Sequence, residues 1–534
     1  MTAIHRRRLL QGVGLALVGL PDCGRAQPAA GRNLRIASVT EAVSLDPHLQ
    51  YFGPDRKAHR HIFESLCAPD ARQHLQPALA QSWHALDDRT WEFRLRPGVR
   101  FHDGSPFTAE DAIFSLERAP RVPGGASSLG AFTQSIAALE APDPLTLRVR
   151  TRTVAPLLPN DLSNIFIVSK RRAETATTAD FNRGEAVIGT GPYRFVEWRK
   201  GFFLHLRGFA DHWGGAPPWN EVRMDLIADD AARVQALLSG EADIADQLPP
   251  GRIAALQATP SVTVVDCPSN FLLFLNLDQF RQVSPYITSK DGRELPNPLL
   301  KREVRRALSM AVDRARLARE VMQGTAEPAD QLLPQGFAGR VPGTLAEPHD
   351  PAAARALLAA AGYRDGWRMT LHGTSDRYSM DGPLLEAVAR DWRAIGLDVS
   401  AVSLPSAEFF RRSGTRDTPP EFSVMQVGWG TPSGESSSTL KGVLATQDFA
   451  RGFGASNRGR YSNPAMDRLL DTALATVDDG RRDALLQDAT RLAVGEDRGI
   501  IPLIHPRNLW AVRRGIAYVP RADNQTSAMD ARPA

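Results

Sequence analysis

The residues with the clearest chemical potential lie in one stretch, residues 428–442, which reads GWGTPSGESSSTLKG. Ser438 and Lys441 have the Ser-x-x-Lys spacing, in which a lysine one helical turn away can help deprotonate a serine nucleophile. The same stretch carries one carboxylate, Glu435, and one indole, Trp429. These residues could belong to a nucleophile site, to the wall of a ligand pocket or to a flexible linker, and each predicts a different protein.

The enzyme and linker interpretations both meet objections in the sequence. A pattern with two fixed positions in four arises often by chance, and the chain has no Ser-Asp-Asn, Lys-Thr-Gly or Gly-x-Ser-x-Gly motif. The preceding segment EFSVMQVGW, residues 421–429, has a strand pattern, so the stretch follows a strand end. Loops at strand ends are where α/β proteins bind ligands. We therefore favour a ligand-binding loop and keep a Ser/Lys acyl hydrolase as a distant alternative.

The elements that must position this loop alternate between strand and helix patterns. NFLLFLNL, residues 270–277, is an apolar run of strand length, which predicts a strand buried on both faces. Capping residues mark several helix starts: Thr108, Asn297-Pro298, Asp350-Pro351 and Asn463-Pro464. In the helix pattern that ends at Gly324, a core-facing stripe is formed by Val304, Leu308 and Val312. The patterns predict an α/β fold in more than one lobe.

The N-terminus has the features of an export signal. Basic residues including Arg6 and Arg7 precede a short apolar run, and small residues allow cleavage after Ala26. A general secretory signal and a twin-arginine signal both remain open. Lipidation of Cys23 is not expected, because Asp22 is a poor match to the small residue that a lipidation site requires. The expected location is the periplasm.

Composition excludes several classes of protein. With 534 residues, 43% hydrophobic and 23% charged, the chain is typical of a soluble globular protein with more than one lobe. Removing the four arginines and one aspartate of residues 1–26 reduces the net charge from +4 to +1, and no basic tract suggests nucleic-acid binding. Cys67 and Cys267 are expected to be buried thiols, with one disulfide left open. His59 and His61 are expected to be a surface pair, and no metal or cofactor site is predicted.

Eight blocks carry a family resemblance: SLDPHL (44–49), IFESL (62–66), PALAQSW (77–83), WEFRLRPGVRFHDGSPFTAEDAIFSLERA (91–119), GTGPYRFVEW (189–198), LLSGEADIA (237–245), LKREVRRALSMAVDR (300–314) and DPAAARALLAAAGY (350–363). In this order they resemble successive landmarks of the family 5 extracellular solute-binding proteins. These are periplasmic receptors of ABC importers for peptides, glutathione and nickel. The resemblance covers nearly the whole chain after the signal.

The resemblance implies a fold like that of type II periplasmic binding proteins, with two lobes joined by hinge strands and an additional small domain. After a signal at residues 1–26, lobe I would comprise residues 27–67, 186–267 and 500–534. An inserted small domain would occupy residues 68–185, and lobe III residues 268–499. The chain would cross between the lobes near Cys267 and Gly499, where a few residues can absorb a hinge motion.

The resemblance also implies how a ligand would be held. In peptide-binding members the corresponding strand ends in Gly-Trp, which Gly428 and Trp429 match, and a following acid accepts the ligand's ammonium group. Glu435 stands in that place, with Ser436 where proline is usual. A charge-assisted bond in a closed cleft is about twice as strong as a neutral one, so amino ligands would be preferred. The alternative for Glu435 is a solvated loop acid.

Further contacts follow from the same resemblance. TSDRYSMDG, residues 374–382, resembles the family's Arg-Tyr segment, so Arg377, beside Tyr378, would bind a ligand carboxylate bidentately; the alternative is a surface arginine. Trp429 would form an apolar floor, and Ser433 and Ser436 would complete the polar contacts. Candidates from the opposite wing are Tyr51, Phe52, Asn270 and Phe271.

The expected protein is therefore a binding receptor without catalytic activity. It would deliver a short peptide or a peptide-like amino compound to the membrane permease of an ABC importer by hinge closure, working as a monomer. A nickel-chelate or haem receptor of the same fold is the near alternative.

Overall fold

The computed structural model describes residues 32–126, 128–416, 418–431 and 433–534. The predicted signal at residues 1–26, with Cys23, lies outside the described residues. Within those ranges, no helix is both long and apolar enough to cross a membrane.

The strands, in chain order, are β1 (Asn33–Ser38), β2 (Cys67–Pro69), β3 (Leu75–Pro77), β4 (Ala80–Asp87), β5 (Thr90–Leu95), β6 (Ile136–Asp143), β7 (Thr146–Thr151), β8 (Tyr193–Arg199), β9 (Phe203–Gly208), β10 (Glu221–Leu226), β11 (Ile244–Asp246), β12 (Val262–Pro268), β13 (Phe271–Leu277), β14 (Ile287–Thr288), β15 (Ala326–Pro328), β16 (Arg368–Thr374), β17 (Asp398–Leu404), β18 (Val424–Gly430), β19 (Ile500–Arg513), β20 (Ile516–Tyr518) and β21 (Ala531–Pro533).

The α-helices are α1 (Gly53–Ile62), α2 (Ala109–Arg118), α3 (Gly130–Thr133), α4 (Leu158–Leu162), α5 (Lys170–Ala173), α6 (Thr178–Asn182), α7 (Asp230–Ser239), α8 (Ile253–Gln257), α9 (Arg302–Ala311), α10 (Arg314–Arg316), α11 (Pro351–Ala360), α12 (Asp381–Ala394), α13 (Ser406–Arg412), α14 (Ser437–Thr439), α15 (Pro464–Leu474) and α16 (Asp479–Thr490). Short 3-10 and π-helical turns extend several of them.

One long strand, β19, links the two lobes. The main sheet has the order β14-β16-β18-β13-β19-β11-β1-β10-β9-β8. The first part of β19, Ile500–Ile504, pairs with β13, whereas Arg507–Arg513 pairs with β12. The pairing of β19 therefore changes around Pro506, whose carbonyl oxygen accepts bonds from the Ser269 amide (3.1 Å) and hydroxyl (2.7 Å). Ser269 lies between β12 and β13, so the connection from β12 to β13 is next to the point where the pairing of β19 changes.

The segment between β1 and β8 contributes a separate antiparallel sheet with the order β4-β5-β7-β6. Its apolar side chains form a core of their own, which includes the alternating Trp91, Phe93 and Leu95. Separate cores under the two halves of the main sheet complete the α/β architecture.

The predicted element boundaries are largely confirmed. Asp350 accepts a bond from the Ala353 amide (2.9 Å), and Asn463 accepts one from the Ala465 amide (2.9 Å), as N-caps do. The continuous helix predicted up to Gly324 was wrong. It is divided twice: Asn297 caps only a 3-10 turn, Pro298–Leu300, before α9 begins at Arg302, and Asp313 accepts a bond from the Arg316 amide (2.9 Å) and so caps a new turn, α10. The predicted stripe of Val304, Leu308 and Val312 is buried.

Two expectations about titratable side chains have different outcomes. Cys67 and Cys267 are free thiols, the first buried and the second partly so, and burial raises the pKa of both. The surface assignment of His59 and His61 was wrong, because α1 is enclosed by other segments of lobe I. The His59 ring is bonded to the Ser44 carbonyl (2.9 Å), and the His61 ring is bonded to the Lys57 carbonyl (2.9 Å).

Candidate ligand-binding site

A cavity of ≈ 350 Å³, the first chamber, lies where the two lobes and the inserted domain meet. Its walls are formed by α1, by the residue that precedes β13, by the end of β18, by the C-terminal segment and by the turn after α4. The lining residues include Tyr51, Arg56, Arg60, Gln73, Asn164, Phe166, Asn270, Gly430, Thr431, Asp523 and Gln525.

Helix α1 brings two guanidinium groups to the first chamber. Arg56 and Arg60 are four residues apart, so the helical repeat places them on one face. The Arg56 guanidinium lies 5.0 Å from the Tyr51 ring centre and 5.1 Å from that of Phe166, and it donates to the Asn164 carbonyl (2.9 Å). No carboxylate among the described residues forms an ion pair with Arg56. The Arg56 guanidinium therefore lies between two aromatic rings and has further N–H groups that could donate to a ligand.

Arg60 is held near a second arginine and an acid. Its guanidinium is 3.6 Å from the Asp523 carboxylate, which also pairs with Arg521 at 3.0 Å. Burial, followed by the nearness of Arg521, lowers the pKa of Arg60 to about 10. Burial opposes ionisation of Asp523, but Arg521 and Arg60 hold its pKa below the ordinary value. One Arg60 nitrogen is buried without a hydrogen-bond partner in the described chain.

The wall from lobe III is built by two neighbouring strand ends. The Asn270 side chain donates to the Thr431 carbonyl (3.0 Å), and the Thr431 amide donates to the Asn270 carbonyl (3.0 Å). These bonds hold the start of β13 against the end of β18. Both residues line the first chamber together with Arg56 and Arg60 of α1.

A larger cavity of ≈ 510 Å³, the second chamber, lies between the inserted domain and lobe III. Asn164 lines both chambers. The chemistry-bearing residues of the second chamber are Asn160, Asp161, Ser433, Ser438, Lys441, Arg451 and Asp471. Burial raises the pKa of Asp161 to about 7, an effect that Lys441 opposes.

The predicted site residues are distributed over several places. Tyr51 and Asn270 line the first chamber, and Ser433 lines the second. Phe52 is 44% exposed at the start of α1 and is not among the residues that line either chamber.

Glu435 lies in a third chamber of ≈ 560 Å³, where the Arg482 guanidinium bonds its carboxylate at 3.2 Å. It is not a solvated loop acid, because only 5% of the residue is exposed. One carboxylate oxygen of Glu435 has no hydrogen-bond partner in the parts of the chain described. The cation beside Glu435 is thus supplied by the protein itself.

Arg377 and Tyr378 lie in the turn between β16 and α12. Arg377 is exposed and lines neither of the two chambers, while the Tyr378 hydroxyl accepts a bond from the Gly428 amide (3.0 Å). Phe271 packs beside Tyr378, with ring centres 5.8 Å apart. Tyr378, Gly428 and Phe271 therefore contact one another, and the exposed Arg377 guanidinium lies 6.0 Å from the Tyr378 ring centre.

Trp429 and Ser436 face inward rather than into the first chamber. The Trp429 ring leaves no room for a side chain at Gly442, since a Cβ there would be 2.8 Å away. Ser436 is fully buried beside Gly339. Ser438 and Lys441 form no hydrogen bond with each other, and the Lys441 ammonium lies 5.1 Å from the Phe453 ring centre. The described residues contain no cluster of three potential metal ligands.

Sequence reasoning missed the charged residues of both chambers. Arg56 and Arg60 belong to the same helix pattern as His59 and His61. Their four-residue spacing, which places them on one helix face, is the sequence feature that could have identified them. Asp161 offered no such signal, because its neighbours Asn164 and Lys441 become relevant only once the inserted domain meets lobe III.

Comparison with known proteins gives a consistent result. The family model for bacterial extracellular solute-binding proteins, family 5 Middle, matches residues 74–450. The glutathione-binding protein GsiB of Pectobacterium atrosepticum is 28% identical over 494 residues, covering 92% of this chain and 90% of the relative. Among solved structures, HbpA2 from Haemophilus parasuis has a TM-score of 0.81 at 21% identity, covering 94% of this chain and 100% of that one. The periplasmic murein tripeptide-binding protein MppA, in its unliganded open form, has a TM-score of 0.80 at 23% identity, covering 95% and 98%.

Proposed function

The chain belongs to the bacterial extracellular solute-binding proteins of family 5, and from this premise we propose that it is the receptor of an ABC importer for a small peptide-like solute that carries a carboxylate group. The family and the relatives are binding proteins and not enzymes, so the Ser/Lys hydrolase alternative is discarded. Export by the N-terminal signal, release into the periplasm and action as a monomer are parts of the same proposal.

One observation carries the choice of ligand: two arginines of α1 line the first chamber, and Arg56 has no carboxylate partner in the described chain. Removing a cation from water is costly unless an anion or hydrogen-bond acceptors compensate for it. A ligand carboxylate would supply that compensation with bidentate geometry. This assigns to Arg56 the part that the family resemblance suggested for Arg377.

The size of the first chamber limits the ligand. A volume of ≈ 350 Å³ is near the lower end of the range for small-molecule sites, which is roughly 300–1,000 Å³. A dipeptide, a tripeptide or glutathione suits such a space, and the curated relative reported above is named for glutathione.

The test is isothermal titration of the exported form of the protein with ligands found by a thermal-shift screen of dipeptides, tripeptides, glutathione, nickel with histidine, and haem. We expect a carboxylate-bearing peptide or glutathione to bind, and Arg56→Gln to weaken it roughly tenfold to a hundredfold, the effect of losing about 1.5–3 kcal/mol of charged hydrogen bonding.

Arg377→Gln is the matched control, because it removes an exposed guanidinium outside the first chamber. We expect it to leave affinity unchanged. If Arg377→Gln abolished binding while Arg56→Gln did not, the anchor would be Arg377 instead. If only haem or nickel with histidine bound, the peptide assignment would be overturned.

A further inference from the structure

The Arg60 guanidinium is a donor of the first chamber that lacks an acceptor. Arg60 lines the chamber one helical turn after Arg56, and it donates no hydrogen bond to any described residue. One of its nitrogens, Nη1, is buried, and the Asp523 carboxylate lies 3.6 Å away, which is beyond hydrogen-bonding distance. Because a buried N–H group without an acceptor is costly, a ligand that supplies an acceptor to Arg60 would be favoured.

The charges around Arg60 compensate it incompletely. Arg521 holds the Asp523 carboxylate at 3.0 Å and also lies 3.6 Å from Asp530. Burial, together with the nearness of Arg521 and Arg56, outweighs the attraction of Asp523 and Asp530, so the pKa of Arg60 falls to about 10. A ligand that brings negative charge to Arg60 should therefore bind more tightly than a neutral ligand of the same shape.

The first chamber offers no free acid to a ligand's amino group. Asp523 is the only carboxylate among the described residues that line it, and Arg521 occupies this carboxylate. The buried acceptor without a partner among these lining residues is Gln525 Oε1, a neutral amide oxygen that suits a peptide N–H. The acidic end of a ligand, rather than its amino end, is therefore the part that this chamber fits.

The spacing of Arg56 and Arg60 suits two acids on one residue. Both lie on α1, four positions apart, so they share one face and are separated by about 6 Å along the helix axis. Each guanidinium is a planar fork that matches one carboxylate. A carboxyl-terminal glutamate carries two carboxylates a few bonds apart, one for each fork, whereas a neutral terminal residue carries only one.

We propose that the first chamber selects solutes whose carboxyl-terminal residue is itself acidic, with the terminal carboxylate on Arg56 and the side-chain carboxylate on Arg60. This rests on the proposed function, which places one ligand carboxylate on Arg56. The substrate class is then a peptide-like dicarboxylate with both acids at one end. Arg60 is the residue that sets this specificity, because Arg56 alone accepts the terminal carboxylate of any peptide.

The test compares two dipeptides, Ala-Glu and Ala-Gln, by isothermal titration. They have nearly the same shape and the same terminal groups, and they differ in the charge of the second side chain. We expect the wild-type protein to bind Ala-Glu at least tenfold more tightly, the effect of one charged hydrogen-bonding contact. Arg60→Gln should reduce this preference to nearly one while it leaves the affinity for Ala-Gln unchanged, which also shows that the variant is folded. Arg56→Gln should weaken both dipeptides and keep the preference.

Arg377→Gln is again the matched control, because it removes an exposed guanidinium outside the first chamber and should leave the preference unchanged. Equal binding of the two dipeptides by the wild-type protein, no binding of Ala-Glu, or a preference that survives Arg60→Gln would overturn this inference. The comparison on the wild-type protein decides the matter even if Arg60→Gln does not fold. The proposed function would still stand if Arg56→Gln weakened both dipeptides, and it would fall separately if Arg56→Gln weakened neither.

Discussion

The ionisation of Asp161 should change the stability of the protein with pH. Its pKa is raised to about 7 by burial from an ordinary value of 3.8, so between these values the folded protein binds more protons than the unfolded chain. Stability contributed by this group is therefore full below about pH 4 and declines as the pH rises to 7. We expect ligand-free Asp161→Asn to melt at a higher temperature than the wild type at pH 8 and by a smaller margin at pH 5, where only part of the stability has been lost.

The same measurement on Asp471→Asn serves as the control, since Asp471 already has Arg451 as its partner. The charged groups facing Asp161 across the second chamber are Lys441, Arg451 and Asp471. A difference between Asp161→Asn and wild type that was the same at pH 5 and pH 8 would contradict the assignment of the titration to Asp161.

At the residue scale, the sequence predicts some positions of the site and misses the charges. Tyr51 and Asn270 could be identified because they stand next to recognisable elements, a helix start and a buried strand. Arg482 could not be linked to Glu435, which it meets at 3.2 Å, because the two are distant in sequence and are joined only by folding. The role of Glu435 therefore depends on a contact that no local pattern encodes.

At the scale of elements, the Glu435–Arg482 pair fastens the loop after β18 to α16. Both side chains are largely buried, and Arg482 also bonds Asp479, whose side chain is 88% exposed. Removing one member of a buried pair typically costs roughly 3–5 kcal/mol. We expect Glu435→Gln to cost about 2 kcal/mol of unfolding free energy, less than this range because Asp479 remains as a partner, and to leave ligand preference unchanged.

Urea unfolding and isothermal titration of Glu435→Gln distinguish a structural role of Glu435 from a role in binding the ligand. Asp479→Asn is the control, because an exposed pair contributes about 1 kcal/mol or less. Unchanged stability together with weaker binding of amino ligands would identify Glu435 as the ammonium acceptor suggested by the family resemblance, and would contradict the structural role argued here.

The sequence predicted the positions of strands better than the points at which a helix is interrupted. The apolar run at residues 270–277 became β13, and the pattern before Trp429 became β18, because buried strands carry their own signal in composition. The break before α10 was missed, since Asp313 within a helical pattern looks like an ordinary surface acid until it caps the next turn.

At the scale of the whole molecule, the passage between the lobes is set by long-range pairing. The family resemblance suggested crossings near Cys267 and Gly499, and the pairing of β19 changes from β13 to β12 around Pro506, which bonds Ser269, two residues after Cys267. The apolar pattern of β19 continues through both lobes, and Pro506 within it does not indicate which strands pair on either side. A hinge there would need only the few residues around Ser269 and Pro506 to change their backbone angles.

Closure of the inserted domain on lobe III can be tested at Gly434. Its φ is +72°, and a Cβ there would lie 2.6 Å from the Gln73 carbonyl oxygen of the inserted domain. Gly343 has a similar φ of +83° within lobe III but open space around it, so Gly343→Ala carries the same left-handed strain without the collision. We expect Gly434→Ala to weaken ligand binding at least tenfold and to abolish the ligand-induced decrease in radius of gyration measured by X-ray scattering. Gly343→Ala should retain both, because only the collision at Gln73 obstructs closure. Equal behaviour of the two variants would mean that this contact takes no part in closing the cleft.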